Sequence, residues 1–310
     1  MATQLPLPRR IAYTALVFVV FLLLLEGGLR LVAPATLWLA RPSGAGRPIV
    51  CLGDSVTAGH GIGRDQAWPA ALGRWLEAEG VQGWSVQSRA VGGSKLGDIR
   101  QRDQGWVRQQ DAPLVLLMAG HNDLMRWGGM ADRPGGYDRG APTAGEAPRL
   151  LRISRWIWGI VEDDLPLSDF DPVDVARFGD DVDAIRDSAR RAGGELVLLT
   201  YVVPGGPPAD MDPQQAAVLV AKREHQRQIN ALIRQVAEAQ RVALLDLELG
   251  MGAPDTWDPA WFVDSIHLTA GASRQVAEAV GAWLLLSGRL RDQPASAGSA
   301  NRNTSPPATR

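Results

Sequence analysis

"PIVCLGDSVTAGHG", residues 48 to 61, runs from an unbroken apolar stretch into a polar turn bracketed by glycines. Ile49 to Leu52 carry no polar interruption, the pattern of a strand covered on both faces rather than one with a wet side. Further strand candidates are "WSVQSRAV" at 84 to 91, "PLVLLMAG" at 113 to 120, "ELVLLTYVV" at 195 to 203 and "VALLDLE" at 242 to 248, and three of the five are nearly continuous in Val, Leu and Ile. Helical spacing fills the segments between them. Val175, Phe178, Val182, Ile185 and Ala189 recur at three- and four-residue steps, and Gly193-Gly194 supplies the stop. Residues 214 to 240 repeat the spacing through Ala217, Val220, Ala221, Ile229, Leu232, Ile233 and Val236, and Thr269 is placed to cap a last helix through Val276, Val280 and Trp283. Strands alternating with helices predict an α/β fold with a parallel five-stranded sheet, and in such sheets ligands bind at the carboxyl ends of the strands.

The rest of the composition narrows the function. At 310 residues and 45% hydrophobic, the chain can bury one large core with a segment and tails to spare. A formal net charge of -2 lacks the basic footprint that phosphate backbones demand, which argues against nucleic acid as a partner. The single cysteine, Cys51, excludes an internal disulfide and a multi-cysteine zinc site, and its place in an apolar strand reads as core packing.

After Arg9 and Arg10, "IAYTALVFVVFLLLL" at 11 to 25 is uncharged; as a helix it spans ~22 Å against the ~30 Å of a hydrocarbon core. Residues 1 to 33 therefore read as a membrane anchor, with a cleaved signal segment ending near Ala33-Pro34-Ala35 as the rival reading. Either way the bulk of the chain is expected outside the cytoplasm. Residues 34 to 47 read as a linker and 48 to 288 as the main domain. The stretch after 289, rich in Ser, Ala, Asn and Pro, reads as a disordered tail. Between Asp123 and Glu195 lie about seventy residues where a crossover needs ~30, which predicts an insertion at about 124 to 170. Its Trp156 and Trp158 suit a lid or a binding surface, and Glu162, Asp163 and Asp164 read as solvated surface rather than a calcium loop.

Ser55, placed just past a strand end, is a turn-former unless a base and its partner lie elsewhere in the chain. Of four histidines, His225 sits among Lys222, Arg223 and Glu224 and reads as a solvated helix face, while His60 and His121 lie in glycine-flanked loops that line a pocket or the surface. His267 differs: in "WFVDSIHLTAG" it follows Asp264 by three residues, so one turn can hold a carboxylate beside the imidazole. Ser55, His267 and Asp264 supply nucleophile, base and orienting group. Asn122 in "MAGHND" and Gly93 in "RAVGGSK", both at strand ends, are candidate donors to an oxyanion, with the Ser55 N–H as a third.

"GDSVTAGHG", Gly93 in "AVGG", "GHND" and "DSIH", in that order and each beside a strand end, resemble the four sequence blocks of the SGNH, or GDSL-type, esterase and lipase family. The resemblance covers about residues 48 to 288. It implies a three-layer α/β/α sandwich of flavodoxin-like form with five parallel strands, and an acyl-enzyme on Ser55. It further implies His267 as base, Asp264 as its partner, an oxyanion hole of Ser55, Gly93 and Asn122, and no metal or cofactor. Ser88 stands where the family commonly has Asn, and Thr57 stands where the G-x-S-x-G elbow of the other large serine hydrolase class needs Gly. Asp54 and Asp123 read as structural hydrogen-bonding groups beside the site. The expected substrate is a small-molecule, lipid or glycan ester. Acyl transfer to an envelope polysaccharide uses the same residues, and a non-catalytic envelope scaffold built on the Trp156 segment is the reading from another class.

Overall fold

The computed structural model describes residues 46–123 and 172–290, together with Val20, Phe21 and Leu24, which are helical. Contacts divide the chain into two compact units, Met1–Ser43 with Arg126–Leu165 and Gly44–Met125 with Pro166–Arg310, and the elements below belong to the second. The remainder of the N-terminal apolar run, nearly all of the 34 to 47 linker, the 124 to 170 insertion with Trp156, Trp158, Glu162, Asp163 and Asp164, and the tail beyond 290 lie outside the described residues. Among the described residues no helix is long and apolar enough to cross a membrane.

Five strands, β1 (Arg47–Gly53), β2 (Trp84–Ser88), β3 (Leu114–Met118), β4 (Glu195–Leu199) and β5 (Ala243–Leu245), form one sheet in the order β2-β1-β3-β4-β5. Every neighbouring pair is parallel, and the register sets Cys51 beside Ser88 on one side and Leu116 on the other. Ile49 to Leu52 are wholly buried, as are all five residues of β3, which is why these stretches read as unbroken apolar runs. The edge strands β2 and β5 are largely half-buried. Cys51 is buried, and burial pushes its thiol pKa far up, so it packs as a small hydrophobe.

The helices are α1 (Ser55–Ala58), α2 (Trp68–Ala78), α3 (Leu96–Val107), α4 (Pro172–Arg191), α5 (Pro213–Gln240), α6 (Leu247–Gly250) and α7 (Ala270–Leu286). From β1 the chain steps outward to β2 and then back across to β3. With right-handed crossovers, that reversal puts α2 on one face of the sheet and α3 on the other, and the onward steps keep α4 and α5 on the α3 side. Packing agrees: α2 lies against α7, α3 against α4, and α4 against α5, so two helical layers flank the sheet. Local chemistry sets the ends. Asp212 accepts from the N–H groups of Gln214 and Gln215 to start α5, and Thr269 accepts from Ala272 N–H to start α7. Gly193, at φ +75°, closes α4.

Two strands end sooner than their apolar runs. Residues 200 to 203 are buried but leave the sheet after Leu199. β5 stops at Leu245 because the Asp246 carboxylate accepts from Leu249 N–H and caps α6, turning the predicted end of that strand into a helix. Hydrophobicity reports burial, and only the polar partners decide where pairing ends.

α7 reaches α2 closely at Gly281, where an added Cβ would overlap the Trp75 indole. Although alanine is favoured over glycine in a helix by about 1 kcal/mol, Gly281→Ala is expected to lower stability by about 1–3 kcal/mol through overpacking. The denaturant midpoint should fall at unchanged slope; a raised midpoint would mean that Trp75 yields without cost.

Candidate active site

The sheet order reverses between β1 and β3, and the crevice at their carboxyl ends is where open α/β sheets bind ligands. Gly53 ends β1 there. A Cβ on it would lie 2.6 Å from the Met118 carbonyl oxygen and against the Thr57 side chain, so only glycine lets the turn fold this tightly onto β3. Asp54 follows, fully buried, and its Oδ1 accepts from Val56 N–H at 3.0 Å, capping α1 and placing Ser55 at the head of that helical turn. Gly59, at φ +78°, turns the chain so that His60 N–H donates to the Ser55 carbonyl at 3.0 Å.

His267 arrives from the loop before α7, 212 positions away. Its Nε2 lies 2.8 Å from Ser55 Oγ and its Nδ1 2.6 Å from Asp264 Oδ2. The other carboxylate oxygen, Oδ1, accepts from the backbone N–H groups of Ile266 and His267, both at 2.8 Å, so one side chain shapes the loop and aims the ring. Burial acts to raise the Asp264 carboxyl, but the hydrogen bond and charge of His267 and the two backbone donors outweigh it and hold the group well below the usual carboxylate range. An ionised Asp264 accepts from Nδ1–H, and in the neutral ring that tautomer makes Nε2 the acceptor facing the Ser55 hydroxyl. Trp257 Nε1 donates to the Asp264 carbonyl at 2.9 Å and steadies the same loop.

Gly93 and Asn122 lie in the loops after β2 and β3. Asn122 is buried and donates from Nδ2 to the Ser94 carbonyl at 3.1 Å. Gly93 adjoins Ser94 at φ +73°, with open space where a side chain would be. Gly92, not singled out by the sequence, also adjoins the serine: a Cβ there would sit 3.7 Å from the Cβ of Ser55. Asp123 accepts from Leu96 N–H with both oxygens, at 2.9 and 3.1 Å, fixing the start of α3.

The structure thus brings Ser55, His267 and Asp264 into one hydrogen-bonded chain and joins Asn122 to the loop that carries Gly93. His60 lies beside His267, with ring centroids 4.4 Å apart and the rings tilted by 44°. His121 is buried, 6.3 Å from the Tyr201 ring and 5.3 Å from that of His225. The expectation for His225 is corrected: it is 1% exposed, with Nε2 3.3 Å from the His121 carbonyl. Its charged neighbours suggested a wet face, but it shares the apolar stripe of Ile229, Leu232 and Val236 at four- and three-residue steps, a signal that was present in the sequence. Tyr201 was hidden inside an apolar run. Among the described residues no cluster of His, Cys, Asp and Glu has the arrangement of a metal site.

The model of the GDSL-like lipase/acylhydrolase family matches residues 51–274, well over half the chain. The chain belongs to that family and is a hydrolase acting on ester bonds. Similar solved structures include a lipase/acylhydrolase from Enterococcus faecalis, at 16% identity over 78% of this chain and 96% of that one with a TM-score of 0.49. Another is Est24, a carbohydrate acetylesterase from Sinorhizobium meliloti, at 14% identity over 78% and 99% with a TM-score of 0.45. No curated protein sequence matches the chain closely enough to serve as a relative.

Burial above all, with the charges of His225, His267 and Lys222 against the opposing Asp264, pushes the His121 pKa down to about 3. The native state therefore keeps His121 neutral where the unfolded chain, with a pKa of about 6.5, takes up a proton. Stability is expected to fall as pH drops below about 6.5, by up to about 1.4 kcal/mol per pH unit from this group. Denaturant midpoints measured from pH 7 to 5 should decline, and less steeply in His121→Gln; parallel declines would remove His121 as the cause.

Proposed function

We propose that this esterase works through a covalent acyl-enzyme on Ser55. His267 Nε2 accepts the Ser55 proton as Oγ attacks the ester carbonyl, and the carbonyl electron pair moves to oxygen. Collapse of the tetrahedral intermediate breaks the bond to the alcohol oxygen, which takes the proton from His267. Water then adds to the acyl-enzyme by the same route, and the products are the carboxylic acid, the alcohol and free Ser55. Asp264 holds the imidazole in the required tautomer. The N–H groups of Ser55 and Gly93 and the Asn122 amide are assigned to the developing oxyanion.

The observation that carries this reading is the 2.8 Å approach of His267 Nε2 to Ser55 Oγ, with Asp264 behind the ring. Nothing in the scheme calls for a metal or cofactor. The substrate class we assign is an acyl ester of a small molecule, lipid or acetylated carbohydrate. The uncharged run at 11 to 25 supports a membrane-anchored chain with its catalytic domain outside the cytoplasm.

Purified full-length protein in detergent is expected to hydrolyse a chromogenic acyl-ester series from acetyl to long-chain, and Ser55→Ala to lose that activity. Asn122→Ala should retain the fold and lower kcat by roughly 10²- to 10³-fold, the usual loss for one oxyanion donor. Undiminished turnover by Ser55→Ala would overturn the nucleophile assignment, and an unaltered kcat in Asn122→Ala would take the amide out of the oxyanion hole.

A further inference from the structure

The chemistry proposed above needs the Ser55 turn, at the end of β1, and the Asn122 loop, at the end of β3, to keep a fixed separation. The two strands are hydrogen-bonded only as far as Gly53 and Met118, and the reacting groups lie beyond that point. One side chain links them. The Tyr201 hydroxyl donates to Asp54 Oδ2 at 2.7 Å and accepts from His121 N–H at 3.3 Å. Asp54 immediately precedes Ser55, and His121 immediately precedes Asn122.

On that basis, and resting on the assignment of Ser55 and Asn122, we infer that Tyr201 is a positioning residue for ester hydrolysis: its phenol ties the nucleophile turn to the oxyanion loop. Tyr201 comes from the chain beyond β4, so a group outside both strands bridges them. It is itself immobilised. Asn230 accepts from Tyr201 N–H at 2.8 Å and donates to its carbonyl at 2.9 Å. Asn230 also donates to Glu248 Oε2 at 3.1 Å, and that oxygen accepts from Arg234 at 2.6 Å. The contact to Asp54 is short, directed to a carboxylate and wholly buried, the setting in which one hydrogen bond fixes geometry most firmly. Burial and the adjacent Asp54 push the phenol pKa well up, so the hydroxyl keeps the proton that it donates. Removing the hydroxyl leaves the ring volume in place but takes a donor from Asp54 and the acceptor from His121 N–H.

A residue that only supports the core would change the folded fraction without changing chemistry per folded molecule. Tyr201→Phe is therefore assayed with active sites counted by an organophosphonate, beside Asp54→Asn, the double variant and Ser55→Ala. The expected result is a fall in kcat of roughly 10- to 100-fold per titrated site, the scale of a misplacement of about 1 Å, with KM little changed. Affinity for an alkyl boronic acid, which forms a tetrahedral adduct on the serine, should fall in proportion to kcat/KM. The double variant should lose less than the two single losses multiplied together, since both break the same tie. An unchanged kcat per titrated site, or independent losses in the double variant, overturns the inference while the loss of activity in Ser55→Ala keeps the acyl-enzyme reading intact. Activity persisting in Ser55→Ala overturns that reading, and the role of Tyr201 with it.

Discussion

The hydrogen bond between Ser55 Oγ and His267 Nε2 joins residues 212 positions apart, and it depends on the parallel run of the sheet. When neighbouring strands point the same way, the loops leaving their carboxyl ends gather along one edge, and the strand order 2-1-3-4-5 opens a crevice where the chain reverses. Ser55 follows β1, Gly93 follows β2, Asn122 follows β3 and Tyr201 follows β4. An antiparallel arrangement of the same segments would send alternate members of this set to the far edge.

Placing a serine at that edge requires burying the acid before it. Asp54 is fully enclosed, and burial raises its pKa against the pull of Tyr201, Val56 N–H and His267. Two other buried aspartates are handled differently. Asp103 lies between Arg89 at 2.7 Å and Arg102 at 2.7 Å, a pairing of opposite charges. Asp123 accepts from the Leu96 N–H at the start of α3. Asp54 has only dipoles as direct partners, a Tyr hydroxyl and an amide, so its geometry is held by direction rather than by net charge.

Much of this was legible from residue order. Helices over 175 to 189 and 214 to 240 followed from their spacing, and Thr269 and Gly193 mark helix ends because capping is local chemistry. The loop "DSIH" placed a carboxylate and an imidazole three residues apart, and a single turn is enough to join them. Errors arose where a local cue competed with a distant one. His225 has charged sequence neighbours but is buried against His121, more than a hundred positions away, and the run "VALLDLE" is cut at Leu245 by a cap that apolar patterning does not register.

What the sequence determined by itself is what depends on short range: strand and helix periods, caps, the turn that exposes Ser55, and the pairing of Asp264 with His267. Tertiary structure decided everything that needs two strand ends to meet. It set Ser55 against His267, brought Gly92 alongside the serine, and brought the Tyr201 hydroxyl between Asp54 and His121 N–H. These contacts rest on loop closure over tens to hundreds of residues and on strand order, and no local propensity encodes either of them.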